Sequence, residues 1–201
     1  MTGWWVLLFN YLIGSLPFGL IIGWMVKGVD IRKFGSGNIG ATNVSRVAGF
    51  APALIAGIAD ALKGFLGAWI ATYFVPNPYL WFFATFLIVI GHNWSLFLSF
   101  KGGKGVATTL GVLFYLSWPA AIISFLVWIG VVAGSRYSSL GSLMGALMMP
   151  ISLFLFQRPL HYIGWGIFAC LLVFWRHSEN IKRLMSGQEH KVGKGERENH
   201  G

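Results

Sequence analysis

Charge is scarce in this 201-residue sequence: Asp, Glu, Lys and Arg together make up 10% of it, where a soluble domain carries about 25%. Acidic residues are scarcer still, six against 15 Lys and Arg, and cysteine occurs once. So little charge excludes a water-soluble globule and, with so much apolar content, a disordered chain. The lone Cys170 excludes a disulfide scaffold and a thiolate metal cluster, and its apolar neighbours from Ile167 to Trp175 mark it as a small packed or lipid-facing residue. What abounds is apolar: 56% hydrophobic residues, with ten Trp and 17 Phe. That many large side chains cannot all enter one core of this size, so much of the apolar surface must face lipid.

A bilayer crossing takes about 20 apolar residues, fewer where the membrane thins. Seven candidate runs cover residues 3–26, 51–75, 79–100, 106–118, 119–134, 140–156 and 161–175. The first is too long for the apolar region of a signal peptide and lacks a basic start, so it reads as a retained helix. The fourth and fifth are the least bounded. Residues 106–134 also read as one long helix kinked at Pro119, which would leave six crossings.

The basic residues arbitrate. With seven crossings, Lys27, Arg32, Lys33, Arg46, Lys101, Lys104 and Arg136 share one side with Arg176, Lys182, Arg183, Lys191, Lys194 and Arg197 of the tail. Lys63 falls inside a crossing and Arg158 alone lands opposite. The positive-inside bias makes the rich side cytoplasmic, with the N-terminus outside and the C-terminus inside. The expected fold is therefore an all-α integral membrane protein of seven transmembrane helices. Residues 1–185 read as a single domain and residues 186–201 as a polar, mobile tail. The net charge of +9 is then a juxtamembrane set facing bilayer lipid, and no nucleic-acid module is visible.

The connections on the basic side are chemically dense. Gly35 to Gly40 fits G-x-G-x-x-G, but a membrane helix precedes it where a dinucleotide site needs a strand. What remains is generic: glycines let backbone N–H groups approach an anion, and Ser36, Asn38, Thr42 and Asn43 add donors beside Arg46. The string Lys101-Gly102-Gly103-Lys104-Gly105 falls short of a P-loop, since Leu98 stands where the first Gly is required and Gly105 where Ser or Thr is required. Glycines at a helix start beside a Lys still suit phosphate; two snorkelling lysines are the plainer alternative. In the tail, His177 and Asn180 are three apart and share a helix face. Asp60 and Lys63, within the second crossing, are placed for mutual neutralisation, and His92 for a polar tie between helices. No histidine, cysteine or carboxylate has metal-ligand spacing, and no serine sits in a nucleophile elbow. Neither a metal nor any other cofactor is expected.

Three ordered segments now become recognisable: Ser36 to Asn43 with Arg46; Gly91-His92-Asn93 with Phe100 to Thr108; and Arg176 to Leu184 with Gly187-Gln188-Glu189. Together with Asp60-Ala-Leu-Lys63-Gly64, they resemble the signature segments of the bacterial acyl-phosphate:glycerol-3-phosphate acyltransferase family along almost the whole chain. The resemblance implies transfer of a fatty acyl group from acyl phosphate to the 1-hydroxyl of sn-glycerol 3-phosphate at the inner membrane, giving lysophosphatidic acid and inorganic phosphate. An acyl phosphate is already an activated mixed anhydride. Such an enzyme needs neither its own nucleophile nor a metal; it must hold two repelling anions and aim a hydroxyl at a carbonyl.

On that footing Ser36, Arg46, Lys104, His177 and Asn180 are expected to bind glycerol 3-phosphate, and Asn38, Thr42, Gly102, Gly103, Lys104 and Gly105 the acyl phosphate. Lys104, His177 and Arg46 are the expected catalytic residues. The proton acceptor is open between His177 and a substrate phosphate oxygen, and Asp60, Lys63, His92 and Glu189 carry no assigned role. A phosphate or organophosphate transporter is the alternative; it predicts inverted repeats and polar residues through the outer half, and the sequence shows neither.

Overall fold

Pro17 has no N–H to continue a helical ladder, and the first apolar run divides there into α1 (Trp4–Ser15) and α2 (Phe18–Lys27). The computed structural model describes residues 3–193, and every regular element among them is helical. A short amphipathic helix follows, α3 (Ala41–Ala48), which docks Asn43 and Val44 against its neighbours. Sequence periodicity left this stretch as loop, because eight residues carry too little pattern to identify. The chain continues as α4 (Phe50–Phe74), α5 (Pro78–Asn93), α6 (Val106–Leu116), α7 (Trp118–Ser135), α8 (Ser138–Leu155), α9 (Leu160–Arg176) and α10 (Ser178–Met185).

Five stretches are long and apolar enough to cross a membrane: residues 4–27, 50–74, 78–98, 118–135 and 138–155. Helices α6 and α9 are apolar but shorter, at 11 and 17 residues. Eleven residues rise only about 17 Å against a hydrocarbon core of about 30 Å. The break expected near Pro119 lies at Ser117, with Pro119 in the first turn of α7. Helices α6 and α7 pack against each other rather than running on as one kinked rod.

Small residues set the spacing of the bundle. Gly64 of α4 lies against the Thr108 carbonyl of α6, and Gly111 of α6 against the Ala61 carbonyl of α4, so any Cβ at either glycine would strike backbone. This is how helices associate in lipid, where close packing replaces the hydrophobic drive. Ile88, Leu113, Leu116, Leu153 and Trp165 fill the interior. Large side chains such as Trp24, Phe50, Tyr79, Phe154 and Leu160 stay exposed, as expected of a lipid-facing surface. Cys170 is buried and free.

Polar ties complete the packing. Asn10 of α1 donates to the Gly67 and Ala84 carbonyls at 3.1 and 2.8 Å. Lys63 Nζ lies 2.7 Å from Asp60 Oδ1, donates to the Leu16 carbonyl at 2.8 Å and meets His92 Nδ1 at 3.0 Å. The carbonyl just before Pro17 thus accepts from the ammonium as well as from the Phe18 N–H at 3.2 Å, so the break leaves no bare acceptor there. The expected neutral pair and interhelical histidine are both present.

Candidate functional site

The first basic-side segment is ordered by its own amides. Asn43 Oδ1 accepts the Ser36 N–H at 2.8 Å, and Asn43 Nδ2 donates to the Ile31 and Phe34 carbonyls at 2.9 and 3.2 Å. Asn38 Oδ1 accepts the Gly40 N–H at 2.9 Å, one residue before α3 begins. Ser36 stays exposed at the tip. Thr42 Oγ1 reaches Ser138 Oγ at 2.9 Å at the start of α8, and Arg46 Nη2 donates to the His190 carbonyl at 3.4 Å.

The second segment follows α5 and folds back under it. The Gly102 N–H donates to the Asn93 carbonyl at 3.2 Å and the Gly103 N–H to the His92 carbonyl at 2.9 Å. These two amides, expected to face a phosphate, instead tie the loop to the carbonyls that a helix leaves unpaired at its C-terminus. Both residues are glycine for closeness: a Cβ on Gly102 would overlap His92 and Asn93 backbone, and one on Gly103 the His92 ring. Gly105 takes φ +76° and opens α6. The loop thereby turns Lys104 towards α10, where its ammonium donates to Asn180 Oδ1.

The third segment closes the site. Arg176 Nη2 donates to the Gly103 carbonyl at 2.8 Å while its guanidinium lies 4.8 Å from the centre of the Trp94 ring. His177 is buried, and its Nδ1 donates to the Val173 carbonyl at 2.8 Å, which leaves Nε2 without a proton when the ring is neutral. Asn180 Nδ2 donates to Glu189 Oε1 at 2.8 Å, and the same carboxylate accepts from Ser139 Oγ at 3.0 Å and Arg183 Nε at 2.9 Å. Residues 188–193 accordingly lie against the site: the Gln188 N–H bonds the Arg183 carbonyl and the Val192 N–H the Arg136 carbonyl, each at 2.8 Å. The rest of the expected mobile tail, with Lys194 and Arg197, lies outside the described residues.

Electrostatics separate the roles. Burial pushes the Lys104 ammonium down to about 8, only partly opposed by Glu189. Burial, then the Lys104 charge, lowers His177 to about 4, against the pull of its bond to Val173. The imidazole is thus neutral at physiological pH and a weak base, unlike the histidine of ordinary pKa that its residue type suggests. Burial would raise Glu189, but hydrogen bonds from Asn180, Arg183 and Ser139 outweigh it and hold the carboxyl below its usual value.

Of the residues singled out by sequence, Lys104 and Asn180 touch directly. Arg46 joins them through the His190–Glu189 strand of backbone, and Thr42 through the start of α8. Ser36 and Asn38 stay on the α3 side. Sequence reasoning passed over Arg176, Glu189, Ser138 and Ser139. The first two lay inside recognised segments and carried charge, a usable signal; the serines belong to no motif. Among the described residues no three His, Cys, Asp or Glu side chains gather as a metal site.

Several comparisons bear on this arrangement. The glycerol-3-phosphate acyltransferase family profile matches residues 4–187. A glycerol-3-phosphate acyltransferase of Carboxydothermus hydrogenoformans is 46% identical over 186 residues, 92% of this chain and 94% of its own. One from Thermotoga petrophila is 43% identical over 196 residues, covering 94% and 97%. Among solved structures, the glycerol 3-phosphate form of PlsY (YgiH), an integral membrane glycerol 3-phosphate acyltransferase, is 42% identical with a TM-score of 0.88 and 94% of each chain covered. Its lysophosphatidic acid form is 41% identical with a TM-score of 0.86, covering 93% of each.

Proposed function

This chain belongs to the glycerol-3-phosphate acyltransferase family, and from that membership we propose that it moves a fatty acyl group from acyl phosphate to the 1-hydroxyl of sn-glycerol 3-phosphate. The products are lysophosphatidic acid and inorganic phosphate. The observation that carries this reading is the Lys104 ammonium, half-buried and held by Asn180, where the glycine loop meets the α9–α10 junction with Arg176 alongside. The transporter reading has no support, since the relatives named above are acyltransferases.

Chemistry then needs little beyond placement. The 1-hydroxyl oxygen bonds to the acyl carbon, the acyl C–O bond to phosphorus breaks, and inorganic phosphate departs with the electron pair. Lys104 stabilises the departing phosphate, and the loop from Gly102 to Gly105, its first two amides bonded to the end of α5, holds the donor through Lys104, with Asn38 and Thr42 across the site. Arg46 offers glycerol 3-phosphate a bidentate grip, with Ser36 at the rim and Asn180 and the free Nε2 of His177 as polar partners. A base works best with a pKa near the operating pH. His177 at about 4 is a poorer acceptor for the hydroxyl proton than a phosphate oxygen with a second pKa of about 6, so the substrate takes its own proton. No step requires a metal.

The five long spans with α6 and α9 as two short ones make seven crossings, with the N-terminus outside and the basic ends cytoplasmic. On this reading the site lies at the cytoplasmic face of a bacterial inner membrane, in one domain covering residues 1–185, with the acyl tail leaving sideways into lipid; the basic residues gathered on that side support it. Purified protein given acyl phosphate and glycerol 3-phosphate should release phosphate without added metal or coenzyme A. Lys104→Ala and Arg46→Ala should each lose about tenfold to a thousandfold, the scale of a missing charge-stabilising donor. A normal rate in both variants would refute the site.

A further inference from the structure

Deep to the site lies a buried ionisable cluster that the reaction above does not use. Asp60 and Lys63 are each 2% exposed and His92 4%. The Lys63 ammonium has three donors and three acceptors within reach: Leu16 O at 2.8 Å, Asp60 Oδ1 at 2.7 Å and His92 Nδ1 at 3.0 Å. His92 Nδ1 also lies 3.4 Å from Asp60 Oδ1, but with Nδ1 accepting from the nearer Lys63 ammonium the imidazole proton belongs on Nε2. That end of the ring faces Gly103, whose absent Cβ would fall on Nε2. The backbone of the same histidine takes the Gly103 N–H at 2.9 Å, and the Gly103 carbonyl takes Arg176 at 2.8 Å. Lys104 follows directly. A continuous chain of contacts therefore runs from the Pro17 break through Lys63 and His92 to the loop that aims Lys104.

We propose that Asp60, Lys63 and His92 are positioning residues for the reaction: the ion pair fixes the ring and tautomer of His92, and His92 fixes the height and direction of the Gly102–Gly105 loop. Asp60 restrains Lys63, and Phe18, 5.5 Å from Nζ, closes its remaining side. An ion pair serving only to neutralise two buried charges would have no need of the histidine, nor the histidine of a glycine pressed against its ring. The inference rests on the reading that Lys104 meets the donor's phosphate.

Steady-state kinetics of Lys63→Met, His92→Ala and the double variant test it, with thermal unfolding in detergent as a fold control. Misplacing a reacting group by about 1 Å costs about a hundredfold. Each single variant should lose about tenfold to a hundredfold in kcat/KM for acyl phosphate at an unchanged KM for glycerol 3-phosphate, and the double should fall no further than His92→Ala. Wild-type kinetics in a folded single variant, or losses that multiply in the double, overturn the proposal. Histidine labelled with nitrogen-15 gives a readout on the unaltered enzyme. The His92 ring signal, assigned on the wild type through its Gly91-His92 pair, the one Gly-His step in the sequence, should show the proton on Nε2, and a proton on Nδ1 instead overturns the relay even if the variants fail to fold. Lys104→Ala run alongside separates the two ideas. Full activity there removes the underlying reading, whereas an inactive Lys104→Ala beside normal Lys63→Met and His92→Ala removes only the relay.

Discussion

Raising the pH should disarm the free enzyme at Lys104 before it affects anything else in the site. Burial brings this ammonium down to about 8 from an ordinary value of 10.5, a penalty on the charged form of roughly 3 kcal/mol. A lowered lysine is charged below its folded pKa and neutral above it, so at pH 9 only about one free enzyme in eleven keeps the charge, where an unperturbed lysine would be almost fully protonated. Both substrates stay dianionic over that range, since their second phosphate pKa lies near 6. The fall therefore belongs to the protein. Because kcat/KM reports the free enzyme, it should drop about tenfold from pH 7 to pH 9 in a phosphate-release assay. The bound phosphate pulls the lysine pKa back up, so kcat should fall at a higher pH than kcat/KM does. Lys104→Arg supplies the control, because a guanidinium keeps its charge throughout, and whatever activity it retains should lack the limb near 8. A flat kcat/KM profile to pH 9.5, or the same limb in Lys104→Arg, would refute the reasoning.

Two further outcomes follow from the same geometry. His177, neutral in the fold down to about 4, protonates near 6.5 once unfolded; the unfolded chain then binds more protons and stability falls as pH drops below 6.5. The loss should reach about 2 kcal/mol by pH 5, seen as a lowered Tm in detergent, and His177→Gln should flatten that slope. Gly102→Ala forces a Cβ into His92 and Asn93 backbone, which cannot give way as a flexible side chain would; about 1–3 kcal/mol of strain should appear as lost stability and a raised KM for acyl phosphate.

The helices were legible because lipid demands long apolar runs, and an unbroken run announces itself without any knowledge of its neighbours. The site segments were legible for the opposite reason: glycines, amides and cations are out of place in so greasy a chain. Helix α3 and the break at Pro17 were less so, the first because it is short, the second because a proline permits either a bend or a stop until a neighbour decides. Here the chain stops and restarts, and Lys63 bonds the carbonyl just before the proline, a partner 47 residues away that local sequence does not reveal.

By itself, then, the sequence determined the apolar helices, the face on which charge collects and the residue types able to grip phosphate. Those properties depend on composition and local order alone. Only the tertiary structure decided which donors point where. The amides of Gly102 and Gly103 are already bonded to the end of α5. His177 is a neutral ring with one nitrogen engaged. Glu189, far along the chain from α8, gathers Ser139, Asn180 and Arg183 around one carboxylate. Hydrogen bonding and desolvation depend on what lies within a few ångströms, and part of that neighbourhood comes from far along the chain: Ser139 on Glu189, and the Lys104 charge on His177.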